Sequence, residues 1–182
     1  FFFAQSPEVA TTISFTEGPT VDSLGNLYFS DIPTNRILKL SPAGTLSTFR
    51  ERSNGANGLL VDAEDRLLAC EGAGAGIPRV TRTNLRTGAL EVLAESDPDR
   101  PLQAPNDLSI DSRGRIYFTD LPGGAVYRID APHRIERILA RPQVEFPNGI
   151  QISPDDKILY LIEANQKAGG ARCIRAYDLS PT

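Results

Sequence analysis

The chain has 182 residues, 40% of them apolar and 23% charged, with 19 Lys and Arg against 23 Asp and Glu for a formal charge of −4. That is the profile of one globular domain burying roughly two thirds of its unfolded surface, with no stretch near the ~20 apolar residues of a membrane helix. The acidic balance, with no basic cluster denser than Arg134 to Arg137, excludes the electrostatic footprint of a nucleic-acid binder. A lone His133 and two cysteines, Cys70 and Cys173, at no ligand spacing exclude a His triad, a thiolate zinc site and a disulfide framework. Chemistry must therefore come from oxygen groups, and both cysteines are expected as small buried hydrophobes in strands.

The N-terminal Phe1-Phe2-Phe3-Ala4-Gln5-Ser6 resembles the cut end of a secretory apolar segment but lacks a basic start. The compartment, cytoplasmic or exported to a periplasm, stays open. With no Met anywhere, the sequence reads as an excerpt. Residues 7–15 are strand-like, and 1–16 are expected to supply an outer strand that closes some other sheet.

From residue 17 the chain repeats. Glu17–Asp31, Asn57–Glu71, Asn106–Asp120 and Asn148–Glu163 align, the last with one extra residue, and start about 40 to 50 residues apart. Each unit is a short apolar strand, an Asp or Gly turn and a second apolar strand ending in an acid. Two further strands follow, as in Arg36–Leu40 and Thr45–Phe49, Arg79–Arg82 and Ala89–Leu93, or Ala125–Ile129 and Arg134–Leu139. Four antiparallel strands per unit predict an all-β chain folded as β-propeller blades that start near 17, 57, 106 and 148. The fourth unit is expected to stop after Cys173–Tyr177, which makes residues 1–182 one apparently incomplete propeller domain. Its open blade edges offer a route to self-association.

The first strand of each blade lies nearest the propeller axis, so rotation brings Glu17, Asn57, Asn106 and Asn148 to one channel mouth. A carboxylate and carboxamide oxygens without His or Cys describe a hard-cation site, Ca2+ before a transition metal. Against this, Asn-Gly and Asn-Asp are also turn formers. A turn does not demand an acid at one of four equivalent positions, which favours the metal reading for Glu17 and Asn148. Asp31, Glu71, Asp120 and Glu163 are expected to accept backbone N–H groups, and Asp22, Asp62 and Asp111 to form Asx turns. The run Gly72 to Gly76 lacks the third glycine and following helix of a dinucleotide fingerprint and reads as a loop bordering the channel. Arg100 is a candidate lid residue.

Glu17-Gly-Pro, Leu27-Tyr-Phe-Ser-Asp31, Asn57-Gly-Leu, Pro105-Asn-Asp, Ile116-Tyr-Phe-Thr-Asp120 and Pro147-Asn-Gly-Ile150, in this order, resemble the gluconolactonase, senescence-marker-protein and luciferin-regenerating family. The resemblance spans residues 12 to 178. It implies a six-bladed propeller, about four blades of which lie in this chain, with one divalent cation in the channel: Ca2+ first, with Zn2+, Mn2+ or Mg2+ as alternatives. It also implies hydrolysis of a small-molecule lactone to its sugar acid. By resemblance Glu17, Asn148 and Asn106 bind the metal, while Asn106, Asn57 and Arg100 face substrate. The family's general-base aspartate is expected beyond Thr182, so that the chain alone is expected to be weakly active or inactive. Two other readings stay open: a non-catalytic propeller scaffold or binding module, and a phosphotriester hydrolase.

Overall fold

The computed structural model describes Val9 and residues 15–179 of the chain. These residues form fifteen strands in four antiparallel sheets. The first sheet holds β1 (Thr16–Val21), β2 (Leu27–Asp31), β3 (Arg36–Leu40) and β4 (Leu46–Glu51). The second holds β5 (Leu59–Val61), β6 (Arg66–Glu71), β7 (Arg79–Asn84) and β8 (Leu90–Ala94). In the third are β9 (Pro105–Ile110), β10 (Ile116–Asp120), β11 (Ala125–Ala131) and β12 (Arg134–Ala140). The fourth contributes β13 (Pro147–Ile152), β14 (Ile158–Ala164) and β15 (Arg172–Asp178). Each sheet is a meander in sequence order, and β1, β5, β9 and β13 stand side by side. This is the blade arrangement of a propeller. The strand expected over residues 7–15 lies outside the described residues apart from Val9 and Phe15.

Period-2 alternation builds the core between blades rather than within them. Tyr28 and Ile37 of the first blade meet Leu59, Leu67 and Ala69 of the second. The opposite face of β6, Leu68 and Cys70, packs with Phe118 and Tyr127 of the third blade. Tyr117 and Val126 then meet Ile150, Leu159 and Leu161 of the fourth. Both faces of the middle blades are thus buried, which explains why β10 is buried at all five positions. On the fourth blade, Tyr160 and Ile162 are 40% and 45% exposed. Their repeat equivalents Tyr28, Leu68 and Tyr117, and Ser30, Cys70 and Thr119, are all buried.

The turn at the foot of each blade is set by its aspartate. The Oδ1 of Asp22 accepts the N–H groups of Leu24 and Asn26, that of Asp62 those of Glu64 and Arg66, and that of Asp111 those of Arg113 and Arg115. These are the Asx turns expected from the sequence. Cys70 is buried, but Cys173 is exposed, contrary to the expectation from its apolar strand; β15 is the outermost described strand of its sheet, so its pleat meets solvent. Among the described residues no helix is long and apolar enough to cross a membrane.

Candidate functional site

Where the four first strands converge, a cavity of about 340 Å3 is lined by Glu17, Asn57, Asn106 and Asn148, together with Asp107 and Gln151. Its size suits a small ligand. Glu17 is exposed in β1, and the three asparagines and Asp107 are half-buried. The four repeat-starting residues are therefore brought together, whereas Arg100 is not among the cavity's lining residues. Its guanidinium donates to the Gly123 carbonyl at 3.3 Å and to the Tyr127 hydroxyl at 3.4 Å, inside the third blade.

The backbone at the axis is crowded, which accounts for the glycines after Glu17 and Asn57; after Asn148, a Cβ on Gly149 would instead meet the Ile162 side chain at 2.8 Å. A Cβ on Gly58 would lie 2.7 Å from the Asn106 carbonyl oxygen and 2.8 Å from Asp107 Oδ1. One on Gly18, at φ 55°, would lie 2.4 Å from the Leu59 nitrogen. Glycine serves here for close approach of neighbouring first strands. At the same position the third blade carries Asp107, the one repeat in which the glycine is replaced by an acid.

Buried hydroxyls fix the ring of polar residues. Thr119 Oγ donates to the Asn148 carbonyl at 2.7 Å and accepts the Asp107 N–H at 3.1 Å. At the equivalent position of the first blade, Ser30 Oγ reaches the carbonyls of Asn57 at 2.9 Å and Glu17 at 3.1 Å. In the second blade Cys70 stands there, and the Asn106 carbonyl is taken by the Gly58 N–H at 2.7 Å instead. The second-strand acids hold the mouth from behind. Asp120 accepts the N–H groups of Gln103 and Ala104 at 2.9 and 2.8 Å, and Glu163 those of Glu145 and Phe146 at 3.0 and 2.8 Å. Glu71 binds Arg50, Arg79 and Thr81.

Asp107 is the functional candidate that reading the motif Pro-Asn-Asp passed over. Its Oδ1 accepts the Leu108 N–H at 2.9 Å and its Oδ2 the Ile150 N–H at 3.2 Å, leaving lone pairs on both oxygens. Burial pushes its pKa above 3.8 against those hydrogen bonds, and the negative charge of Glu17 pushes the same way. The signal lay in the repeat alignment: an acid where the other three units have glycine.

Two carboxylates and four carboxamides, those of Asn57, Asn106, Asn148 and Gln151, line the cavity, and no Lys, Arg or His does. An acid pair with no basic partner calls for a hard cation, and the oxygen-only donor set fits one. Among the described residues no group of three or more His, Cys, Asp or Glu could hold a metal, so such an ion would rest on two acids and amide oxygens. Chemically the cavity can bind a cation, offer N–H donors to hydroxyl or carbonyl oxygens and accept a proton.

The family model described as SMP-30/Gluconolactonase/LRE-like region matches residues 15–182. Among curated proteins, the chain is 27% identical over 187 residues to a gluconolactonase of Zymomonas mobilis, covering 87% of this chain and 51% of that protein. It is 25% identical over 159 residues to a lactonase of Staphylococcus epidermidis, covering 81% and 47%. Among solved structures, a gluconolactonase from Xanthomonas campestris superposes with a TM-score of 0.78 at 27% identity, covering 91% of this chain and 59% of that one. The chain thus spans about half the length of the curated relatives it matches.

Proposed function

For a chain that belongs to the SMP-30/gluconolactonase/LRE-like family, we propose that the axial cavity hydrolyses a small lactone with the help of a divalent cation. The observation that carries this reading is the pairing of Glu17 with Asp107 in a cavity that three asparagines share and no basic side chain enters. The relatives named gluconolactonase and lactonase support the substrate class. Ca2+ is the ion best suited to carboxylate and carboxamide oxygens, with Zn2+, Mn2+ and Mg2+ as alternatives. Glu17, Asp107 and the oxygens of Asn106 and Asn148 would hold it.

When bound, the cation supplies Lewis acidity at the lactone carbonyl and charge stabilisation for the oxyanion. The carboxamides of Asn57 and Asn106 orient the ring by donating to its oxygens. Water adds to the carbonyl carbon, the ring C–O bond breaks, and the proton lost by the water passes to a carboxylate and then to the leaving alkoxide. Within this chain Asp107 is the acid whose raised pKa suits that transfer. The product is the open-chain hydroxy acid.

The test is a pH-stat assay of gluconolactone opening with and without Ca2+, on the protein and on Glu17→Ala and Asp107→Asn. Cation-dependent turnover that both variants lose by ~100-fold or more supports the reading. Turnover that survives both substitutions refutes it. A phosphotriester panel run beside the lactones separates the related hydrolase reading, since the same polarised oxygen chemistry serves a phosphoryl group.

A further inference from the structure

On the same side of the blades as the axial cavity, a second groove of about 420 Å3 is lined by Asn35, Arg52, Asn54, Gly76, Ile77 and Arg79. Asn54 precedes Asn57 by three residues, so the chain sets the groove within about 11 Å of the axial mouth. We infer that this groove binds the oxyanion of a small molecule, a carboxylate or a phosphate monoester, through Arg52 and Arg79. The inference does not depend on the hydrolase reading of the axial cavity.

The groove is built rather than incidental. Asn54 Oδ1 accepts the Gly76 N–H at 2.9 Å, its Nδ2 donates to the Ile77 carbonyl at 2.8 Å, and its own carbonyl accepts the N–H groups of Gly72 and Gly74 at 3.0 and 3.3 Å. Asn35 Oδ1 accepts the Gly55 N–H at 2.8 Å from the other side. The glycine loop is thereby locked against the link between β4 and β5. A Cβ on Gly76 would lie 2.4 Å from Asn54 Oδ1, so glycine is required for this fit.

Three residues of this wall take left-handed backbone: Asn35 at φ 59°, Arg52 at 52° and Asn54 at 57°. Asparagine tolerates that region. At Arg52 the turn is anchored by the next residue, Ser53, whose N–H donates to the Asn35 carbonyl at 2.9 Å. Arg52 has no ion-pair partner among the described residues.

Charge agrees with geometry. Glu71 is shared between Arg50 Nη2 at 2.5 Å and Arg79 Nε at 2.9 Å, which leaves the terminal nitrogens of Arg79 for another acceptor. Arg50 Nε and Nη1 are buried with no hydrogen-bond partner. Arg36 is paired with Asp31. Of the charged side chains, Arg52 and Arg79 line the groove and no carboxylate does, in a protein that is acidic overall. Two guanidinium forks with an adjacent asparagine match a planar carboxylate or a phosphate. The axial cavity, lined by Glu17 and Asp107, repels the same group. A ligand with one anionic end is therefore oriented with that end in the groove and its neutral part towards the axis.

The experiment is an NMR titration of metal-stripped protein at low ionic strength with inorganic phosphate and, separately, with gluconate. Saturable shifts of the amides of residues 52–54 and 73–79 are expected with one probe or both, and the probe that binds identifies the oxyanion. Arg52→Gln should weaken binding at least about tenfold without changing the melting temperature, and Arg52→Lys should recover part of it. Shifts confined to the axial cavity, no saturation with either probe, or unchanged affinity in Arg52→Gln would each overturn the inference.

Discussion

The buried hydroxyl of Thr119 donates to the carbonyl oxygen of Asn148 at 2.7 Å, tying the second strand of the third blade to the axial residue of the fourth. The same hydroxyl receives the Asp107 N–H. One side chain thus sets two candidate ligands across a blade boundary, and Ser30 repeats the arrangement with Asn57.

Replacing that hydroxyl should be felt twice. Thr119→Val keeps the shape but leaves a buried carbonyl without its donor, a loss of about 1–3 kcal/mol in denaturant unfolding. It should also reduce the gain in melting temperature on adding Ca2+. Thr119→Ser should restore most of both, and equal behaviour of Val and Ser would show that the hydroxyl positions nothing.

Close approach at the axis gives a second test. Gly58→Ala places a Cβ against the Asn106 carbonyl and Asp107, with an expected loss of about 2–3 kcal/mol. Gly88→Ala meets nothing within 4 Å; strained only by its φ of 73°, it should cost about 1 kcal/mol. Chemical denaturation of the two variants measures the contrast.

At the foot of the blades, Ser23 donates its N–H to Asp65 at 2.9 Å, and Ser112 donates its own to Asp156 at 3.2 Å, with the serine hydroxyls on the same carboxylates. Between the second and third blades the corresponding residues are Ala63 and Gly114. Serine and aspartate are thus lost together. Installing Ala63→Ser and Gly114→Asp should give a favourable coupling of about 0.5–1 kcal/mol in a double-mutant cycle. Strict additivity would show that the link between these turns contributes nothing.

The pH dependence follows from Asp107. Desolvation raises its folded-state pKa above 3.8, so the folded state binds its proton more tightly than the unfolded chain does. Without a cation, this group's contribution to stability should grow as pH falls through that raised value. Asp22, Asp31, Asp97 and Asp111 are also desolvated, but their hydrogen bonds hold them below 3.8, so the stability they contribute is lost only at lower pH. With Ca2+ present the sign reverses, because protonation of Asp107 competes with the ion. The Ca2+-induced gain in melting temperature should be full at neutral pH and diminish as pH falls through the raised Asp107 value.

Much of the fold is legible in the sequence because the blade repeat places an apolar pair, an Asp turn and a terminal acid at fixed positions. Glu17, Asn57, Asn106 and Asn148 converge for the same reason: strand alternation and rotation fix first-strand residues whatever the loops do. Loops are different. Arg100 turns into its own blade towards Tyr127, a contact with no periodic signature. Asp107 was hidden by its motif and visible only as the departure from glycine. Cys173 reads as core from its strand, but burial depends on the neighbour its face meets.

The central claim, a cation held at the propeller axis by Glu17 and Asp107, is tested most directly by melting chelator-treated protein across a Ca2+ titration beside Glu17→Ala and Asp107→Asn. Binding to the folded state raises stability by mass action, about 2.7 kcal/mol at a hundredfold excess over Kd. The account predicts a saturable rise in the parent chain that both variants lose. A cooperative melt indifferent to Ca2+, or a rise that both variants retain, would contradict it.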